Sequence, residues 1–235
     1  MSLLDCGCGP GSITLGLAEA VAPGAVVGVD IEPRQIEAAR SLASDRRLAN
    51  ASFEVGSIYA LPFPDAAFDA VFANTVLLHL REPRRALVEM RRVLRAGGVA
   101  GVVDGDFATW LWEPSSPRLR KIQNLFLRAL RHSGGDPHLA RHYRRLLLES
   151  GFARSEGYGM VSSETQGTAS GTRQLAATVA QQLRAPSFGG VAMEQGWTTA
   201  VELEAMLAEV RAWGERPDAF HAIFNCAAVG WVDEA

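Results

Sequence analysis

Leu3-Leu4-Asp5-Cys6-Gly7-Cys8-Gly9-Pro10-Gly11 decides how this chain is read. An apolar strand runs into Asp5, and glycines follow at 7, 9 and 11. Without a Cβ, glycine lets the backbone turn sharply and lets a ligand lie directly against it. A helical pattern opens at Ser12, so the free N–H groups of its first turn point toward whatever rests on the loop. Strand, glycine turn and helix in that order suit a ligand-binding Rossmann-type loop, with a purely structural turn as the alternative. The dinucleotide fingerprint G-x-G-x-x-G would need its last glycine at position 12, which is Ser12.

The following segments continue the pattern. Ala25–Asp30 is a β-branched run that reads as strand 2, and Pro33 opens the next helix with Ile36, Ala39 and Ala43 inward. Short strands are expected at Ser52–Val55, Phe68–Ala73 and Val99–Val103. The first helix, residues 12–22, is expected to bury Ile13, Leu17 and Val21. The helix from Pro83 is expected to bury Leu87, Met90 and Leu94 and to stop at Gly97-Gly98. Alternating strands and helices imply βαβ units and a parallel sheet. After strand 5 the rhythm changes. Residues 107–135 hold Trp110, Trp112 and an amphipathic helix with Leu119, Ile122, Phe126 and Leu130. A helix is expected over 138–150, a strand within 154–162, and mostly helix over 167–214 with Val201, Leu203, Leu207, Val210 and Trp213 inward. A last strand is expected in 219–232. One domain over 1–235 follows, with helical insertions at 107–150 and 163–217.

Composition narrows the function. Of 235 residues 48% are hydrophobic, enough for a sizeable core, and the net charge of −3 gives no basic footprint for nucleic acid. The arginines at 118–131 and 141–145 lie among apolar residues and read as solvated helix faces. Three cysteines, two of them inside the glycine loop, do not make a disulfide framework, and Cys6-x-Cys8 is too tight and isolated for a zinc site, so no metal is expected. No run of 18 apolar residues and no signal peptide is present, which reads as a cytoplasmic protein without stable membrane insertion. Met1-Ser2 runs straight into the first core strand, and the start reads as trimmed or moved.

Asp30 ends strand 2 beside the glycine loop, because both lie at the carboxyl edge of neighbouring strands. It suits the two hydroxyls of a ribose, with Ile31 packing on the base; its alternative role is to cap the helix that follows.

Beyond the loop, VVGVDIEPRQIEAAR (26–40), Val55-Gly56-Ser57-Ile58 with Leu61-Pro62-Phe63, FDAVFANTVLLHL (68–80) and PRRALVEMRRVLRAGG (83–98) together resemble the class I S-adenosylmethionine (SAM)-dependent methyltransferases, most closely the small-molecule subgroup that includes quinone and sterol methyltransferases. The resemblance covers about residues 3–104 and, less specifically, RRLLLESGF at 144–152. It implies a Rossmann-like, doubly wound, mostly parallel seven-stranded sheet of order 3-2-1-4-5-7-6 with strand 7 antiparallel. It also implies these roles: Asp5, Gly7, Gly9 and Gly11 around the methionine part of SAM, Asp30 on the ribose, Ser57 and Ile58 beside the adenine, and Asn74 near the sulfonium. Ser57 stands where family members often carry Asp.

Methyl transfer asks the protein for alignment and a dry cavity, and for a base only where the acceptor must lose a proton early. His79 is placed for that role, with ordering of its loop as the alternative. Trp110, Trp112 and Phe126 read as an apolar substrate wall or as core. His132, His138, His142 and Tyr143 read as substrate-cavity residues or as surface. The expected partner is a small-molecule acceptor, with a homodimer possible. The rival functions are a non-catalytic SAM-binding protein and a nicotinamide-dependent oxidoreductase.

Overall fold

The computed structural model describes residues 1–161 and 167–234. Its seven-stranded sheet has the order β3-β2-β1-β4-β5-β7-β6. The strands are β1 (Ser2–Cys6), β2 (Ala25–Asp30), β3 (Ala51–Val55), β4 (Phe68–Asn74), β5 (Leu94–Glu113), β6 (Arg154–Val161) and β7 (Phe220–Trp231). The pairs β1–β2, β1–β4, β2–β3 and β4–β5 are all parallel. The order is the one that the family resemblance implied.

The helices between them are α1 (Ser12–Val21), α2 (Pro33–Arg46), α3 (Pro83–Arg92), α4 (Pro117–His132), α5 (Tyr143–Glu149), α6 (Ala169–Arg184), α7 (Val191–Glu194) and α8 (Ala200–Gly214). Their ends follow local chemistry. Pro33, Pro83 and Pro117 each enter a first turn, where the missing N–H removes nothing the helix uses. Ser116 accepts the Leu119 N–H, and Thr199 and Glu202 form a reciprocal capping box on α8.

The described residues form two compact units. The first comprises Met1–Asp104, Leu139–Tyr158 and the chain from Cys226, and it holds β1–β4 with α1–α3 and α5. The second comprises Gly105–His138 and the described part of Gly159–Asn225. Its core joins Trp112 of β5 to Leu119, Ile122 and Leu125 of α4, Val179 and Leu183 of α6, and Leu207, Val210 and Trp213 of α8. The sequence reading began its second insertion at 163; residues 162–166 lie outside the described residues. Residues 139–150, which it assigned to the first insertion, belong to the first unit.

Four sequence expectations are corrected. In α1 the buried residues are Thr14, Leu15 and Ala18, and Ile13 is 43% exposed. The helix is turned so that the Thr14 hydroxyl donates to Asp5 Oδ2 at 2.6 Å, a bond that ties α1 to β1 beneath the loop. Second, α3 ends at Arg92, and Leu94 opens a 20-residue β5. Gly97, at φ +70°, sits inside an irregularity where the register shifts between Phe68↔Leu94 and Ala70↔Val99. Third, the helix expected over 138–150 is a 3-10 turn, Leu139–His142, followed by α5. Fourth, Val201 is 81% exposed because the buried stripe of α8 runs through Leu203, Met206, Leu207, Val210 and Trp213.

The turned α1 gives a direct comparison. Leu15→Ala should cost about 2–5 kcal/mol of unfolding free energy, and Ile13→Ala under about 0.5 kcal/mol. Urea melts of the two variants would reverse that order if the face expected from the sequence were the buried one.

Asp5 makes stability depend on pH. Burial raises its carboxyl pKa to about 6; the Thr14 bond opposes this and the Asp30 charge adds to it. A carboxyl whose folded pKa is raised binds more protons folded than unfolded between roughly pH 4 and pH 6. Its contribution is therefore present below that window and lost as pH rises through it. Two pKa units correspond to ~3 kcal/mol. Asp5→Asn should flatten the fall in stability between pH 4 and pH 6.5 in denaturant titrations, and an unchanged slope would assign that fall to other groups.

Candidate functional site

The end of β2 builds the site. The Val29 carbonyl accepts the N–H groups of both Gly7 (2.7 Å) and Cys8 (3.0 Å). Asp30 follows, and its carboxylate accepts the Gly9 N–H on Oδ2 and the Glu32 N–H on Oδ1, each at 2.9 Å. The glycine loop is thus pinned to β2 from two successive residues. The sequence reading offered ribose binding and helix capping as alternatives for Asp30. The structure adds a third use, the clamp on Gly9, and Glu32 rather than Asp30 occupies the N-cap of α2.

Gly7 and Gly9 hold φ of +73° and +52°, a region L side chains rarely adopt. A Cβ on Gly7 would stand 2.4 Å from Val76 Cγ2, whereas the Cβ position of Gly9 is open. Gly11, at φ +83°, packs on Ala39 and Phe53 and enters α1 without a side-chain cap.

These features surround a cavity of about 440 Å³. Gly7, Gly9, Asp30, Ile31, Ser57, Ile58 and His79, all named from the sequence, line it together. Asp5, Gly11 and Asn74 are not in its wall. Asp5 is buried under the loop against Thr14, and Gly11 faces α2 and β3. Asn74 is the last residue of β4, and its amide donates to the Thr75 hydroxyl at 3.1 Å. Their places follow from the pleat and the turn: motif position alone does not say which side of the backbone a side chain takes.

The wall also holds residues that the sequence reading did not name as site residues, among them Tyr59, Thr75, Val76 and Leu80. Tyr59 is held by its neighbours. Its N–H donates to Ser57 Oγ (3.2 Å), its hydroxyl accepts the Glu82 N–H (3.2 Å), and the Arg85 guanidinium lies 5.2 Å from its ring centre. A large aromatic between Ser57 and Leu61, in a segment already assigned to the site, was the available signal. Val76 had none, because its role depends on the bare Gly7 it meets across the fold.

Electrostatics in the wall are mostly those of neutral groups. Cys6 lies in the wall, and burial pushes its thiol pKa far up; burial likewise pushes Cys8 to about 12. His79 keeps solvent contact, yet the protein around it desolvates the ring enough to hold its pKa below the ordinary imidazole value, so it is uncharged at neutral pH. Among the described residues no cluster of His, Cys, Asp and Glu has the make-up of a metal site.

The other sequence candidates sit elsewhere. Trp112 is core of the second unit, edge-on to Trp213 at 4.7 Å, with Trp110 and Phe126 packed against that core. Tyr143, expected at a substrate cavity or at the surface, is buried: its hydroxyl donates to Asp104, and that bond draws the ring inward. His142 closes the 3-10 turn ahead of α5. His132 lies edge-on to Trp197, and His138 contacts Arg131.

Comparison with known proteins agrees with this fold. A family profile described as a methyltransferase domain matches residues 1–133. An uncharacterized methyltransferase of Schizosaccharomyces pombe is 41% identical over 110 residues, which span 44% of this chain and 40% of that protein. A probable methyltransferase of Aspergillus luteorubrus is 29% identical over 97% of this chain and 85% of its own length. Among solved structures, the YcgJ protein of Bacillus subtilis superposes with a TM-score of 0.62 at 19% identity, covering all of this chain and 92% of that one. The chain belongs to the methyltransferase-domain family and has the fold of its class I, SAM-dependent members.

Proposed function

We propose that this chain transfers a methyl group from SAM to a small organic acceptor, and that the cavity under the glycine loop holds the cofactor. The observation that carries the reading is Asp30. Each carboxylate oxygen accepts one backbone N–H and keeps further acceptor capacity, so the group is both fixed and available. Two adjacent acceptor oxygens at the edge of an apolar cavity suit the vicinal diol of a ribose. Ile31, 73% exposed in the same wall, offers an apolar surface for an adenine ring.

Ser57 replaces the charged acceptor common at its position. Its oxygen already accepts the Tyr59 N–H, which leaves one lone pair and the hydroxyl hydrogen for the adenine edge. The open Cβ position of Gly9 and the positive φ of Gly7 let a ligand approach the backbone itself.

When bound, the sulfonium supplies an already activated methyl group for in-line displacement. The protein's own contribution is to hold, align and exclude water. Uncharged His79 is able to accept a proton from an acceptor hydroxyl or amine at the cavity rim.

Calorimetric titration with S-adenosylhomocysteine, SAM and NAD tests the cofactor. Micromolar binding of the first two and none of NAD is expected; tight NAD binding would reverse the reading in favour of the oxidoreductase. Asp30→Ala should weaken S-adenosylhomocysteine at least tenfold, since it loses charge-assisted bonds and releases the loop. His79→Ala should leave that affinity within about twofold and lower turnover of a hydroxyl acceptor by about 100-fold or more. Unchanged turnover would leave His79 a rim residue without a proton to move.

A further inference from the structure

Asp104 is 1% exposed and follows directly on the residue where β5 pairs with the end of β4. Its Oδ2 accepts the Leu78 N–H at 3.4 Å and the hydroxyl of Tyr143, itself 1% exposed. The N–H groups of Val76 and Leu77 also favour its charge. Burial outweighs all three amides and raises its pKa well above the carboxylate range. Among the described residues its Oδ1 has no hydrogen-bond partner. A buried carboxyl is a poor source of stability compared with a well-packed apolar side chain. What it supplies here is direction.

The segment it addresses is the turn after β4. Thr75 takes φ +58°, strained for a β-branched residue, and donates its N–H to the Val103 carbonyl at 2.9 Å. A 3-10 turn, Leu77–His79, follows, and no side chain of its own caps it. Strained backbone persists only where surrounding groups over-determine it. Val103 and Asp104 are those groups, two successive residues of one strand. The turn places Val76 and His79 in the cavity wall, and Val76 is the residue that meets Gly7.

We propose that Asp104 and Tyr143 are a positioning pair: by holding the Leu78 amide they fix the turn that sets Val76 against the glycine loop and His79 at the cavity rim, so that cofactor affinity depends on two residues outside the cavity. The affinity part rests on the function proposed above; the placement of Val76 and His79 does not.

The test uses Tyr143→Phe and Asp104→Asn, which keep side-chain volume, with Leu183→Ala as control, a fully buried α6 residue in the core of the second unit. Two quantities are read: S-adenosylhomocysteine affinity, and the NMR shifts of the Val76 methyls and the His79 ring in cofactor-free protein. Both positioning variants should weaken binding by about threefold to tenfold and move both sets of shifts. Leu183→Ala should lower the melting temperature and move neither. Wild-type Val76 and His79 shifts in the two variants, or equal movement in the control, would overturn the pair. If Tyr143→Phe does not fold, Asp104→Asn decides by the same shifts. If the wild type itself fails to bind S-adenosylhomocysteine, the cofactor reading falls, while the shifts still decide the positioning pair.

Discussion

The Asp30 carboxylate holds the Gly9 amide on one oxygen and the Glu32 amide on the other, one residue after the Val29 carbonyl has taken the amides of Gly7 and Cys8. Nearly everything in the proposed site follows from this junction. Three glycines in the left-handed region carry a large conformational entropy in the unfolded chain, and a loop so composed would be loose if left alone. Three of its backbone N–H groups, those of Gly7, Cys8 and Gly9, anchored to two adjacent residues of β2 make it a defined surface. The same clamp leaves Asp30 with a fixed orientation, so the group that stiffens the loop is also the one proposed to hold the ribose.

The opposite wall is built by a different device. There the backbone is held from behind by Val103 and Asp104, and the wall residues Val76 and His79 are carried on a short turn with no capping side chain of its own. One wall is thus fixed by side chain to backbone across neighbouring parallel strands. The other is fixed by a buried carboxyl reaching into a turn. Parallel pairing of β1 with both β2 and β4 puts the two devices at the same edge of the sheet.

Much of this was legible in the sequence, for identifiable reasons. Glycine spacing, the carboxylate ending β2 and the β-branched runs are local signals, and local signals survive folding unchanged. Strand order came from family resemblance and agrees with the structure. What failed was phase and side. Of the expected stripe Ile13, Leu17 and Val21, the last two are half-buried against the core, while Ile13 is exposed and the fully buried positions include Leu15 and Thr14, the latter bonded to Asp5. Gly97-Gly98 looked like a helix stop and proved to be an irregularity within a strand, and of the two readings offered for Trp110 and Trp112, substrate wall or core, the structure shows core: both lie on β5, one in the core of the second unit and the other packed against it. Val76 and Asp104 were not singled out, and Tyr143 was read as a substrate-cavity or surface residue, because each acts on a residue far from it along the chain.

The near-contact between Gly7 and Val76 has a bearing on how such a chain can change. A Cβ at position 7 would sit 2.4 Å from a valine methyl, so the first substitution at that loop position collides with the opposite wall. Shrinking residue 76 would relieve the collision and leave the left-handed backbone at 7 as strained as before. The two positions form a one-way gate for sequence drift: residue 76 is free to become smaller while residue 7 stays glycine, but residue 7 cannot grow at any size of residue 76 without the loop finding a new conformation.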